Sequence, residues 1–406
     1  MIKGGSERIA YDVIVVGAGI MGCSAAYNLS KKGKKVLLIE QFTVKGAFNQ
    51  SQDHSRFFRY AYGDPLYTKL AMESLKLWKA LERESGTKLY FKGGLLSLCK
   101  EDGNNTRYSI QHSVGWGSKI SLEKSGRENV LQYYLALKKL GLKAELLEKK
   151  ELNRRFPQFD ASFGLLDPSG GVLSASAAID VFVALGKKRG LKVREESRVI
   201  AIADNCVLLE HGEKIYARKI VVTAGFWINK LFGGRYPIKT TRQEVLYIKP
   251  KNQSDFKIGK FPLFSYMEGD HFYGIPMHGI NAVKVAVDSA KSADPQKLKD
   301  SGEFKSTARL RKLAKYYIPK LANGKILEKK LCMYDISPDE DFIIDQPNST
   351  MIVATGFSGH GFKFAPLIGR ILADLAIYGS TKHDISRFSM KRFGKPLRLG
   401  IRKKIL

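Results

Sequence analysis

Cysteine is scarce in this chain: Cys23, Cys99, Cys206 and Cys332 stand far apart, with no CxxC pair. That spacing excludes a zinc ribbon or a redox dithiol, and a chain that is 44% hydrophobic has core enough to do without a disulfide framework. The seven histidines fall in no HExxH or similar ligand pattern, so no metal is expected. No apolar run approaches the roughly 20 residues that a membrane helix requires. Residues 1–10 are short and polar, and the apolar stretch after them runs straight into a glycine motif, which makes it a strand and not a signal-peptide core. A cytoplasmic location with no membrane partner is the expectation. Acidic residues are few, 39 against 68 lysines and arginines, and the formal charge is +29. Such an excess favours anionic partners, nucleic acid among them. The basic residues are scattered, and only the tail concentrates them, at Arg398, Arg402, Lys403 and Lys404. No nucleic-acid-binding signature accompanies them, so ordinary solvated surface charge is the plainer account, with nucleic acid left open.

What is present begins at Tyr11. Tyr11–Val16 is a short β-branched run of the kind that forms a buried parallel strand, and Gly17-Ala-Gly-Ile-Met-Gly22 follows at once. A helix to about Lys32 stops at Gly33, and a second strand, 35–39, ends at Glu40. Gly17 allows the tight turn, Gly19 lets backbone approach a pyrophosphate, and Gly22 lets helix and strand pack closely. The helix N-terminus, with Ile20 and Met21, offers N–H groups to the phosphates, and Glu40 stands where a carboxylate binds ribose hydroxyls. A lone GxGxxG is weak, but here strand, helix, second strand and acid agree on dinucleotide binding.

Beyond it, 65–85 is an amphipathic helix, 91–98 a strand carrying Gly93 and Gly94, and 130–140 and 175–189 are helices. Residues 191–199 and 207–209 are strands, and 219–222 is a buried strand ending in Thr223-Ala-Gly225. Ala224 and Gly225 either bring backbone close to the adenine half of the cofactor or form a plain strand-to-helix turn. Antiparallel strands are expected at 245–248, 263–267, 271–276 and 283–287, a helix over 295–317, and a returning strand at 351–354 before a helix at 366–378. The fold expected is a Rossmann-like α/β domain (1–90, 150–235 and 325–390) interleaved with an antiparallel α+β domain (91–149 and 236–324), followed by a basic tail, 391–406.

Three segments are more specific: Asp53-His-Ser-Arg-Phe-Phe-Arg-Tyr-Ala-Tyr62; Cys332-Met-Tyr followed by Asp341-Phe-Ile-Ile-Asp345; and Gly356-Phe-Ser-Gly-His-Gly-Phe-Lys-Phe364 followed by His383-Asp-Ile-Ser-Arg-Phe388. With the N-terminal motif, they closely resemble the family of monomeric sarcosine oxidase and the N-methyltryptophan and pipecolate oxidases, nearly end to end. The resemblance implies FAD attached covalently through Cys332, which alone would read as a structural thiol. It implies Arg59 and Lys363 as the carboxylate-binding pair, a role that suits a planar fork and a point charge. It implies Lys284 as the cation that activates oxygen, where the residue alone would read as an outward-facing strand position. Arg56 should lie near the flavin, Tyr273 should line the substrate cavity, and the backbone of Gly359-His360-Gly361 should stabilise negative charge on the flavin, His360 not acting as a base. Ser55, Val199 and Gly356 complete the cofactor-binding set. The implied reaction is oxidation of the C–N bond of a secondary amino acid by a monomer, to an imine that hydrolyses, with oxygen reoxidising the flavin to hydrogen peroxide. The chain departs from the family at Asp288, where sarcosine-type members have a histidine four residues after the lysine. A carboxylate there could act on the substrate's charge or pair with Lys284, so a dehydrogenase using another electron acceptor stays open, as does a flavoprotein acting on modified nucleic acid. Phe264 and Met267 read equally as cavity lining or core.

Overall fold

The computed structural model describes residues 9–46, 50–100, 125–288, 291–294 and 304–394. Tyr11–Val16 becomes an interior strand of an eight-stranded sheet, paired in parallel with Val36–Ile39 on one side and Lys214–Val222 on the other. Because side chains alternate along a strand, Val13 and Val15 enter one core and Ile14 and Val16 another. The first core is closed by the helices Ile20–Lys31, Ala175–Lys187 and Ala365–Tyr378. Both faces are therefore covered, as the unbroken apolar run requires. Met351–Thr355 returns to this sheet, parallel to Lys214–Val222.

A second eight-stranded sheet runs Lys325–Ile336, Lys239–Lys249, Val283–Val287, Phe272–Ile275, Leu263–Tyr266, Leu95–Cys99, Phe163–Asp167 and Glu145–Glu148. All neighbours are antiparallel except Leu263–Tyr266 on Leu95–Cys99. One face packs on the helix Thr307–Tyr317 and the other on Gly126–Lys139. A three-stranded sheet, Ser55–Phe58, Gly171–Ser174 and Tyr90–Lys92, lies outside both.

Several expectations are corrected. The strand expected at 91–98 is two strands in two sheets, Tyr90–Lys92 and Leu95–Cys99, because the Gly93–Gly94 pair turns the chain onto Gly170, whose carbonyl takes both N–H groups. The strand expected at 191–199 is also two, at opposite edges of the first sheet: Lys192–Arg194 beside Val36–Ile39, and Val199–Ile202 beside Cys206–Leu209. Segments assigned to the cofactor domain supply strands of the second sheet: Phe163–Asp167, and Lys325–Ile336, which pairs with Lys239–Lys249 along its whole length. This pairing places Cys332 on the second sheet. The helix expected over 295–317 is seen from Thr307, and residues 295–303 lie outside the described residues, as does the basic cluster 398–404.

Candidate active site

The sheets meet over one deep cavity. At its first-sheet end lie Gly17, Gly19, Ile20, Met21 and Glu40, with Val199, Ala224 and Gly225 beside them. Gly17 has φ +98°, and a Cβ there would stand 2.6 Å from the Thr223 carbonyl oxygen, so this turn admits glycine alone. Gly19 is the N-cap of Ile20–Lys31 and provides no side chain to cap it, leaving that end of the helix open to an external anion. The Ile20 N–H is taken by Ser51 Oγ at 2.9 Å. Glu40 Oε2 accepts the Ala18 N–H at 2.7 Å, and burial pushes this carboxyl above its ordinary range despite that bond. Gly22 does not line the cavity: it lies in the helix where a Cβ would meet the Gly17 carbonyl at 1.9 Å, the packing role expected of it.

The other end is built on the second sheet. Val283–Val287 pairs with Phe272–Ile275 so that Tyr273 opposes Ala286 and Ile275 opposes Lys284. Opposed residues share a face, and period 2 puts Tyr273, Ile275, Lys284 and Val245 on the cavity side. The same register carries Cys332 and Tyr334 onto this face from Lys325–Ile336. Of the four cysteines, Cys332 alone is partly exposed, and it lies near enough to act on Arg56 and Lys284. The Tyr273 and Tyr334 hydroxyls are 3.0 Å apart.

The loop Gly356–Phe364 closes the cavity. Gly359 has φ +75°, and a Cβ there would stand 2.5 Å from the Tyr334 ring, so the backbone itself is pressed onto the wall. Buried Asp335 holds the loop's entry by accepting the Gly356 N–H at 2.8 Å and the Phe357 N–H at 3.3 Å. Gly359, His360, Gly361 and Lys363 line the cavity; Gly356 stands behind it. The His360 ring packs among Tyr67, Tyr62 and Phe342. Burial first, and Lys363 second, hold this imidazole well below its ordinary value and keep it neutral. Its carbonyl accepts Lys363 Nζ at 2.7 Å. Lys363 is 3% exposed and has no carboxylate partner among the described residues. Burial, then Arg59, lower its proton affinity strongly. Arg59 is fully buried over the Tyr62 ring at 4.5 Å; it is near enough to act on Lys363 but is not itself on the cavity wall.

Ser55 also stays off the wall, its carbonyl accepting from Arg56 at 3.0 Å and facing Lys284 at 3.5 Å. Phe264 turns to the opposite side of the second sheet, and Met267 packs in the core on the cavity side without reaching the wall. Asp288 does not pair with Lys284. Two residues beyond Tyr273 and Ala286 on their strands, Asp288 takes His271 Nδ1 at 2.6 Å, while His271 Nε2 meets Ser265 Oγ at 2.8 Å. Lys284 pairs instead with Asp53, a buried carboxylate that also accepts from Arg56 and from the Tyr247 hydroxyl. Burial alone would raise Asp53, but Lys284 and Arg56 outweigh it and hold the carboxyl well below its usual range. Asp53 and Tyr334 lay within recognisable segments but carried no role there; Asp335, Gln50 and Ser51 gave no sequence signal.

The cavity, mouth included, encloses about 1820 Å³. Its two ends differ in chemistry: glycine backbone, a helix N-terminus and a carboxyl at one, and cations, tyrosines and a thiol at the other. An extended dinucleotide with a small anionic molecule beside it fits this division.

Residues 12–375 match the family model described as FAD dependent oxidoreductase. The chain is similar to the probable sarcosine oxidase of Arabidopsis thaliana, 31% identical with 96% of this chain and 94% of the relative covered. It is similar to the monomeric sarcosine oxidase of Bacillus sp. (strain B-0618), 32% identical over 94% and 96% of the two chains. In fold it resembles the crystal structure of L-proline dehydrogenase from P. horikoshii, with a TM-score of 0.79 and 21% identity over 95% and 98% of the chains.

Proposed function

The chain belongs to the FAD dependent oxidoreductase family, and from that premise we propose that it oxidises the C–N bond of a secondary amino acid, N-methylated or cyclic. The observation that carries the substrate class is Lys363: a buried ammonium on the cavity wall, hydrogen-bonded to a carbonyl and lacking an acid among the described residues. A buried cation of this kind is stabilised when a carboxylate arrives. The relatives named sarcosine oxidase support the amine.

FAD, when bound, supplies the oxidising power by taking a hydride equivalent from the carbon attached to nitrogen. In this reading Gly17, Gly19 and the first turn of Ile20–Lys31 hold the pyrophosphate, and Glu40 the ribose. Lys363 binds the substrate carboxylate with Arg59 behind it. Tyr273 and Tyr334 shape the space for the amine substituents. The backbone of Gly359–Gly361, on the cavity wall, would stabilise negative charge on the flavin. His360, neutral and enclosed by aromatic rings, takes no proton. Lys284 is the cation offered to oxygen, and the products are an imine, which hydrolyses, and hydrogen peroxide. Cys332, the one partly exposed thiol and a cavity residue, carries the covalent link to the flavin. A cytoplasmic monomer completes the proposal.

Acid precipitation of the purified protein tests it. The yellow flavin should remain with the polypeptide and map to a peptide containing Cys332, and should come free in Cys332→Ser. Release from the wild type would refute the covalent link. A panel of secondary amino acids with peroxide detection then tests substrate and acceptor together. A dehydrogenase passing electrons to a carrier other than oxygen is the second reading, favoured by the ion pair between Lys284 and Asp53, and artificial acceptors distinguish it.

A further inference from the structure

One carboxylate gathers the polar groups at the cationic end of the cavity. Asp53 receives hydrogen bonds from Lys284, Arg56 and Tyr247, and Lys330 Nζ stands 3.6 Å from its Oδ1. Lys284 and Arg56 reach the cavity; Asp53 stands behind them. The other groups that act on Lys284 are Arg56, which repels it, and Cys332, with the Ser55 carbonyl at 3.5 Å. Burial first, and Arg56 with it, hold the Lys284 ammonium below its ordinary range, and an anion must oppose them if the proton is to stay. Asp53 is that anion, and it arrives from a different element than the strand bearing Lys284.

We propose that Asp53 is a positioning residue which keeps Lys284 protonated and cancels most of its charge, so that Lys284, Arg56 and Asp53 together present close to one net positive charge to the cavity, apart from Lys363. This inference rests on the flavin reading above. Lys284 then meets oxygen as a fixed, charge-paired hydrogen-bond donor rather than as a second free cation. The pair sets how readily negative charge accumulates on the cofactor.

Asp53→Asn keeps the volume and one acceptor oxygen but removes the anion. Lys284 should then titrate about 1–3 pH units lower. The probe is the dissociation constant of sulfite with the oxidised flavin, which falls as positive charge near the ring grows. It is read as the ratio of variant to wild type, so that sulfite's own titration cancels. From about pH 6 to about pH 10, Asp53→Asn should bind sulfite on the order of tenfold more tightly at the acid end. This gain should fade as Lys284 loses its proton, and Asp53→Asn/Lys284→Met should show no such step. A ratio that is flat with pH, or a step that survives in the double variant, overturns the inference. If Asp53→Asn does not fold, Lys284→Met against wild type decides: a ratio constant through neutral pH is expected, and one that already changes there shows a lysine Asp53 does not hold protonated. A wild type without flavin sinks the flavin reading and this inference together; a flavin-loaded wild type failing the sulfite test sinks this inference alone.

Discussion

Replacing Lys363 by methionine keeps the aliphatic stem between the aromatic rings and removes one buried positive charge. In the free protein that charge is held at a cost, since burial and Arg59 both depress its proton affinity and its one hydrogen bond is to the His360 carbonyl. A substrate carboxylate repays the cost by forming a charge-assisted hydrogen bond, about 1.5–3 kcal/mol, or roughly 10- to 150-fold in affinity. Part of that gain is spent on taking up the proton that Lys363 tends to lose, so the lower half of the range is expected. KM for a carboxylate substrate should therefore rise by about 10- to 50-fold, and KM for the matching carboxamide should change by less than about threefold. The pH dependence has a definite sign. Lys363 is charged below its depressed pKa, so carboxylate binding is strong on the acid side and weakens as pH rises through that value. The substrate's amine titrates in the opposite sense, so the clean assay is perturbation of the flavin spectrum by acetate, which has no amine. Wild-type acetate affinity should fall as pH rises, and Lys363→Met should bind weakly at every pH. Equal effects on carboxylate and carboxamide, or a pH profile unchanged by the substitution, would refute the assignment.

Lys284→Met should slow reoxidation of the reduced enzyme by oxygen while anaerobic reduction by substrate stays within a few-fold, measured by stopped-flow in each half-reaction; a collapse of reduction would place Lys284 in the substrate step. Gly17→Ala forces a Cβ to 2.6 Å from the Thr223 carbonyl oxygen at φ +98°, so the purified variant should lose most of its flavin, read as absorbance per chain. His360 is neutral when folded because burial depresses its pKa, so unfolding takes up a proton below the unfolded value near 6.5 and stability falls as pH drops through it. His360→Gln should flatten that acid-side slope by up to about 1.4 kcal/mol per pH unit, seen in melting temperatures at pH values on either side; an unchanged slope would place the proton elsewhere.

Period and punctuation made much of the fold readable. The helix Pro65–Ser85 and the strand Val283–Val287 stand where spacing puts them. Gly17, Gly19 and Glu40 meet at one end of the cavity because a strand, a turn and a helix are local objects whose geometry neighbouring residues decide. Reading failed where a glycine pair divided one apolar run between two sheets, and where Lys325–Ile336 joined a strand about 80 residues earlier in the chain. Pairing at such distance is set by which edge is free once both sheets have formed, and no local pattern encodes it.

The sequence by itself determined the dinucleotide cradle, the family and the types of residue the chemistry needs, because each depends on short spacing or on a recognisable run. Only the tertiary structure decided their partners. It gave Lys284 to Asp53 and Asp288 to His271, drew Arg59 back from the wall on which Lys363 stands, and sent Phe264 to the opposite side of its sheet. The physical reason is that the charge of a buried group depends on what lies within a few ångströms of it, and those neighbours come from strands far apart in the chain.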